Sequence, residues 1–247
     1  MTTESGQAGP TELSGAWNFR DVGSGSGVTP GLLYRASALS ALDATGRRAL
    51  AALRIHTVID LRSRQEIESV GPDAVPSGVE VINRSFDRDS DVTALHEQPR
   101  LADDAALHAY MVNAYRWFPK WDGAARAILA VADALIDERR TGGVLVHCAA
   151  GKDRTGWVVA AILAAAGVDC AAIMDDYLRS NDAQAQLREA LLDRNAAFDR
   201  SPLLLGVRAE YLAGAFEAAV EAHGSFAGYL ETIGVGRTHQ QRLARLL

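Results

Sequence analysis

The thirteen residues Val144–Gly156, VLVHCAAGKDRTG, constrain this chain more than any other stretch. They set a cysteine, a lysine, an aspartate and an arginine within seven consecutive positions, Cys148–Arg154, between two apolar runs. Charged side chains are seldom buried unless paired or hydrogen-bonded, so core packing does not ask for such a cluster. VLVHC reads as a buried strand. TGWVVAAILAAAG, after the loop, is apolar on every side, the pattern of a central buried helix that Gly167 closes. A parallel sheet binds its ligands beyond the carboxyl ends of its strands, and a helix N-terminus there attracts anions.

The rest of the chain supplies the other parts of such a sheet. LLYRA (Leu32–Ala36), IHTVIDL (Ile55–Leu61) and VEVIN (Val79–Asn83) read as strands. Asp43–Leu53 reads as a helix capped near Asp43. Ser63 and Glu66 form a capping-box pattern for the next helix, which stops by Gly71-Pro72. Helices over Asp103–Arg116 and Ala124–Arg139 follow, separated where Pro119 breaks the pattern. From Asp169 onward the pattern is helical only. This order predicts an α/β fold with a mainly parallel central sheet flanked by helices and a helical C-terminal layer. No proline- or glycine-rich linker divides the chain, so the expected organisation is a disordered tail over residues 1–12 and one domain over 13–247, all-helical from about 169. GSGSG at Gly23–Gly27 reads as a flexible turn, because Val28-Thr29-Pro30 opens no helix of the dinucleotide-binding kind.

The loop itself reads as phosphate chemistry. Ala149, Ala150 and Gly151 are small enough for the backbone to curl and aim successive N–H groups at one point. Arg154 adds a planar fork matched to two phosphoryl oxygens. Helix N-termini and nearby cations lower a cysteine pKa from about 8.5 into a range of about 3.5–7.5, which would make Cys148 a nucleophile at neutral pH. Thr155, at the helix start, is placed to donate to the cysteine sulfur, and His147 reads as an organiser of the loop rather than a base. A Walker A loop is excluded at two positions: Val146 stands where its first glycine belongs, and Asp153 where Ser or Thr must follow the lysine. A rhodanese-like sulfurtransferase and a catalytically silent phosphate-binding module are the alternatives. The first usually has a loop one residue shorter, and the second leaves the pairing of nucleophile and arginine unexplained.

The string HCAAGKDRTG resembles the H-C-x5-R-[ST] signature of cysteine-dependent phosphatases. Its GKDRTG ending is similar to the bacterial tyrosine phosphatase B family, the triple-specificity phosphatases, in its mycobacterial form. WNFRDVG (Trp17–Gly23), LLYRASALS (Leu32–Ser40), DLRSRQE (Asp60–Glu66), DYLRSND (Asp176–Asp182) and GVRAEYL (Gly206–Leu212) extend the resemblance over nearly the whole chain. The resemblance implies a cysteine-phosphatase-like fold and a metal-free enzyme working through a phosphocysteine on Cys148. Its substrates would be phosphoproteins, through phosphotyrosine and by extension phosphoserine or phosphothreonine, or phosphoinositides. It also implies that Lys152 meets a second phosphate on an inositol ring. For the general acid it leaves two candidates. Asp153 matches the loop aspartate of myotubularin-like phosphatases, and Asp87 lies in a separate charged loop where Asp89 or Asp91 could stand in for it. The motif position favours Asp153, whose other reading is a carboxylate that pairs with a neighbouring cation and braces the loop.

Composition narrows the partners. A chain of 247 residues with 48% hydrophobic content can build a globular core. With 25 Lys+Arg against 31 Asp+Glu, formally −6, it lacks the basic surface that nucleic acid or an anionic membrane would require. No segment reaches the ~18 apolar residues of a membrane span, and MTTESGQAGP at the start is small and polar. No stable membrane insertion is expected, and the protein is expected in the cytoplasm or exported without a cleavable signal peptide. Two cysteines, Cys148 and Cys170, make neither a disulfide framework nor a zinc site, so no metal and no cofactor is expected, and Cys170 reads as a buried or half-buried inert thiol. The histidines outside the loop sit at no ligand spacing. YRWFPKW (Tyr115–Trp121) reads equally as an aromatic lid or as helix packing, and the sequence sets no oligomeric state.

Overall fold

The structure is a computed structural model that describes residues 11–86, 103–194 and 202–247. Its strands are β1 (Arg20–Asp21), β2 (Leu33–Ala36), β3 (Ile55–Asp60), β4 (Glu80–Asn83) and β5 (Gly143–His147), in the sheet order β1-β2-β5-β3-β4. β1 pairs antiparallel with β2, and every other pair is parallel. Ala36 and Asp60 both lie level with His147, and Asn83 lies level with Asp60, so the four parallel strands end together. The loops that follow are therefore crowded onto one edge of the sheet around Cys148.

Side chains alternate across a strand, and the two faces carry different layers. Leu33, Ile59, Val144 and Val146 enter a large core built with the later helices. Tyr34, Val58 and Leu145 enter a smaller one with Leu13, Leu39, Leu42 and Leu50, under helix α2 (Ala44–Ala52). α2 is capped by Asp43, whose carboxylate accepts from the N–H groups of Thr45 and Gly46. The expected capping box is formed at Ser63, with Glu66 reaching back, and starts α3 (Arg64–Val70).

One departure is α1 (Gly23–Ser26), a single turn where the glycine-serine run reads as a flexible loop. Local propensity is overridden by tertiary contacts. The Asp21 carboxylate accepts from the N–H groups of Gly23 and Gly31, Ser26 Oγ donates to the Val22 carbonyl, and Gly27 closes the turn at φ 74°. The expected helices after β4 are α4 (Asp104–Trp117) and α5 (Asp122–Ile136), with the Pro119 break folded as a 3-10 turn over Phe118–Lys120.

The central helix is α6 (Asp153–Ala165), which starts two residues earlier than the apolar pattern suggests. Gly167 stands just past its cap residue, Ala166, in the left-handed conformation. The C-terminal layer comprises α7 (Cys170–Leu178), α8 (Gln184–Arg194), α9 (Pro202–Leu205), α10 (Ala209–His223), α11 (Phe226–Thr232) and α12 (Arg237–Leu246). Among the described residues no helix is long and apolar enough to cross a membrane. Of the expected tail, residues 1–10 lie outside the described residues, while Leu13 is buried in the smaller core. Cys170 is exposed at the first position of α7, not buried. Asp169 caps that helix, which turns its start out of the core.

Candidate active site

The loop Cys148–Lys152 leaves the end of β5 and enters α6 directly. Its shape follows from where its carbonyls go. His147 Nδ1 meets the Cys148 carbonyl at 3.1 Å, and Ala38 N–H donates to Ala149 at 3.1 Å. The Asn18 amide donates to Ala150 and Gly151 at 3.2 and 2.9 Å. Arg35 Nη2 donates to Gly151 at 2.8 Å and to Lys152 at 3.4 Å, and Gly156 N–H also donates to Lys152. All five loop carbonyls are thus taken. In a planar trans peptide the next N–H points the opposite way, so each N–H of residues 149–153 points away from the donor on its own peptide. An anion-binding nest needs N–H groups freed in this way.

Two backbone positions make this curl possible. Gly151 has φ 67°, and a Cβ there would lie 2.1 Å from the Ala36 carbonyl oxygen, so both conformation and space require glycine. Asn18 itself has φ 53°, a conformation that asparagine tolerates better than most residues, and this presents its amide to the loop. Behind them lies a buried ionic cluster in which Asp176 of α7 accepts from Arg20 at 2.8 Å and from Arg35 at 2.6 Å. Burial pushes the Asp176 carboxyl up, but the charges of Arg35 and Arg20 outweigh it and hold it below the usual carboxylate range. Burial and the like charge of Arg35 pull Arg20 down to about 10.

Arg154, in the first turn of α6, is held by Glu66 of α3, whose two oxygens receive Nη1 and Nη2 at 2.7 and 2.6 Å. Burial raises the Glu66 carboxyl, yet the Arg154 charge and hydrogen bonds bring it below its ordinary value. Glu66 therefore has two tasks, of which its capping pattern announces one. Lys152 is 1% exposed, and its ammonium is turned inward to Asp153 and to the Gly206 carbonyl. Asp153 also accepts from the Tyr115 hydroxyl at 2.7 Å, which in turn accepts from Tyr177. Burial and then the Asp153 charge push both phenols well above their ordinary pKa, so they act as donors. Thr155 Oγ1 is buried without a hydrogen-bond partner, so the expected bond to Cys148 is absent. Asp87, with Asp89 and Asp91, lies outside the described residues.

Cys148 is 2% exposed. Leu187 and Leu191 of α8, Leu205 of α9 and Trp17 pack on Ala150. A cavity of about 350 Å³ opens beside Ala149 and Ala150, bounded by Ser37–Ala38, Glu66 and the same two leucines of α8. The side chains packed over this part of the loop thus come from α8, α9 and Trp17. Tyr115 and Phe118 are core residues, so YRWFPKW serves helix packing at those positions, and only Trp117 of its aromatics is largely exposed. The sequence assigns no site role to Asn18, Arg35, Glu66, Asp73 or Asp176, and its lid reading of Tyr115 does not include the bond to Asp153. For Asn18, Arg35, Glu66 and Asp176 the signal lies in the stretches WNFRDVG, LLYRASALS, DLRSRQE and DYLRSND, which carry a resemblance and no spacing rule, and Asp73 lies in none of these stretches.

Residues 11–247 match the protein family described as the tyrosine phosphatase family. The triple specificity protein phosphatase PtpB of Mycobacterium tuberculosis is 40% identical over 96% of this chain and 98% of its own. A relative from Cupriavidus necator is 32% identical over 86% of this chain and 80% of its own. A tyrosine-protein phosphatase of Nostoc commune is 28% identical over 85% of this chain and 71% of its own.

Proposed function

The chain belongs to the tyrosine phosphatase family, and we propose that it hydrolyses phosphomonoesters, phosphotyrosine foremost, through a phosphocysteine on Cys148. The observation that carries this reading is the set of five occupied loop carbonyls, each of which turns the N–H of its own peptide away from its donor and leaves it for an anion. Such a nest meets the three equatorial oxygens of a phosphoryl group, where catalysis is mostly positioning and charge stabilisation. Arg154 supplies the planar cation beside it, oriented by Glu66.

In the first step the Cys148 thiolate attacks phosphorus, the P–O bond to the leaving group breaks, and the departing oxygen takes a proton from an acid. In the second, water attacks phosphorus, the P–S bond breaks, and inorganic phosphate leaves with the thiolate restored. Thr155 Oγ1, buried without a hydrogen-bond partner in the first turn of α6, is the hydroxyl assigned to serve that sulfur. The contacts of Asp153 support its bracing role, and those of Lys152 support a share in the same brace, ahead of a second-phosphate contact. The apolar lining of the cavity by Leu187, Leu191 and the loop alanines suits an aromatic leaving group. Phosphoinositides are the second substrate class, and they require the Lys152 ammonium to leave Asp153.

Cys148→Ser should abolish release of phosphate from a nitrophenyl ester while phosphate still binds, since a serine hydroxyl does not ionise at neutral pH. Rapid quench of the native enzyme should yield a Cys148 peptide carrying one phosphoryl group. Appreciable turnover by the serine variant, or thiocyanate release from thiosulfate in place of phosphate release, would overturn the reading.

A further inference from the structure

We propose that Asp73 is a positioning residue for phosphoryl transfer: it holds His147 as an imidazolium whose far nitrogen fixes the carbonyl of Cys148, the peptide from which the anion-binding loop starts. The inference rests on the phosphatase reading for its consequence, though not for its geometry. Asp73 follows Gly71-Pro72 at the end of α3, and its side chain is fully buried. One of its oxygens accepts from Leu39 N–H at 3.2 Å and from Arg62 Nη2 at 2.8 Å. The other receives His147 Nε2 at 2.8 Å. Three segments are thereby tied behind the nucleophile: the loop after β2, the residues after β3, and the end of β5.

The protonation of His147 follows from its partners. Nε2 faces a carboxylate oxygen and Nδ1 faces a carbonyl oxygen, and both can only accept. A neutral imidazole carries one N–H, so satisfying both contacts requires two. Charge balance agrees. Asp60 and Asp73 face His147 from β3 and from the end of α3, and among the described residues Arg62 is the guanidinium bonded to both carboxylates. Two carboxylates against one guanidinium leave a buried excess of −1 unless the ring is charged. These acid–base groups lie within 4.8 Å of one another, and Arg62 together with the imidazolium neutralises them in full. Burial by itself would lower the imidazole pKa, but the hydrogen bond and charge of Asp73, with the charge of Asp60, raise it above its usual value against the opposing charge of Arg62.

A group raised in this way stays protonated above its ordinary pKa of about 6.5 and loses the proton only as pH climbs through the higher folded value. Neutral His147 would then have to give up one of its two contacts. If the Asp73 contact keeps the proton, the Cys148 carbonyl loses its donor and the first peptide of the loop is free to turn.

The test follows the His147 ring by NMR in the full chain from pH 6 to 9, with its signal assigned by its loss in His147→Asn. In the unsubstituted protein the ring should remain imidazolium well above pH ~6.5. In Asp73→Asn its titration should fall by about one unit or more, and the alkaline limb of kcat should move down with it. kcat should drop roughly 10–100-fold, the range known for the carboxylate partners of metal-binding histidines, while KM changes little. The double variant should lose no more than His147→Asn alone. Titration of the unsubstituted ring at or below its ordinary value would overturn the proposal, as would losses that simply add or an unmoved pH profile in a folded Asp73→Asn. The ring titration needs no turnover and no variant of Asp73. It therefore decides the inference even if Asp73→Asn does not fold, and an enzyme with a charged His147 but no phosphatase activity would fail the functional reading instead.

Discussion

Asp153 spends both carboxylate oxygens inside the protein, on the Lys152 ammonium and the Tyr115 hydroxyl, with Tyr177 donating to Tyr115 in turn. A general acid must reach the leaving group with its proton, whereas both oxygens of Asp153 are already engaged by buried donors. Asp153→Asn is therefore expected to slow alkyl and nitrophenyl phosphates by the same factor, because it loosens Lys152 and the start of α6 without removing the acid. Leaving-group dependence measures this. A loss confined to alkyl phosphates, of the roughly 10²–10⁴ that a positioned acid supplies, would assign the proton to Asp153. At this scale the sequence was informative about residue type and silent about contacts. The proposed nucleophile and its arginine are named by a seven-residue spacing, but the partner of Arg154 is not. Glu66 stands 88 residues away and already satisfies a local rule, the capping box, so nothing in its own neighbourhood asks for a second role.

The loop between β5 and α6 is an element without a hydrogen-bonded pattern of its own, and its conformation is set by what surrounds it. Gly151→Ala should show this directly. The added Cβ would meet the Ala36 carbonyl at 2.1 Å, and φ 67° is strained for alanine, so the loop must shift. A displacement of about 1 Å at the nest can cost on the order of 10²-fold in rate, and kcat/KM should fall by about that much with a lower melting temperature. Kinetics close to those of the unsubstituted enzyme would mean that the loop shape is not what positions the phosphoryl group. Other elements were legible for local reasons: α2 from Asp43, α3 from Ser63 and Glu66, and β3 and β5 from apolar runs. α1 was not, because four residues of glycine and serine carry no helical signal and are folded by Asp21 and their neighbours.

At the scale of the whole molecule, Asp176 joins parts of the chain 156 residues apart by accepting from Arg20 of β1 and, at its other oxygen, from Arg35 of β2, which also holds the loop. Asp176→Asn leaves two buried guanidiniums facing one neutral amide and should cost about 3–5 kcal/mol in urea unfolding. A loss below about 1 kcal/mol, the scale of an exposed pair, would show that the cluster is not structural. The pH dependence has a defined sign. Asp176, Asp73 and Glu66 are all held below their ordinary carboxylate values, so the stability they contribute is present above those values and is lost as pH falls through the lower folded ones. His147 acts in the opposite sense, and its contribution is lost as pH rises through its raised value. By itself the sequence determined the alternation of strands and helices, the helical C-terminal layer and which short segment is the candidate loop, because periodicity, capping and motif spacing act over a few residues. Only the tertiary structure decided which distant side chains hold that loop: Asn18, Arg35, Glu66, Asp73 and Asp176. Each is an ordinary polar residue in its own segment. It acquires that role only because the sheet and the helices packed on it bring distant segments to the edge where the parallel strands end, and there desolvated charges must find one another.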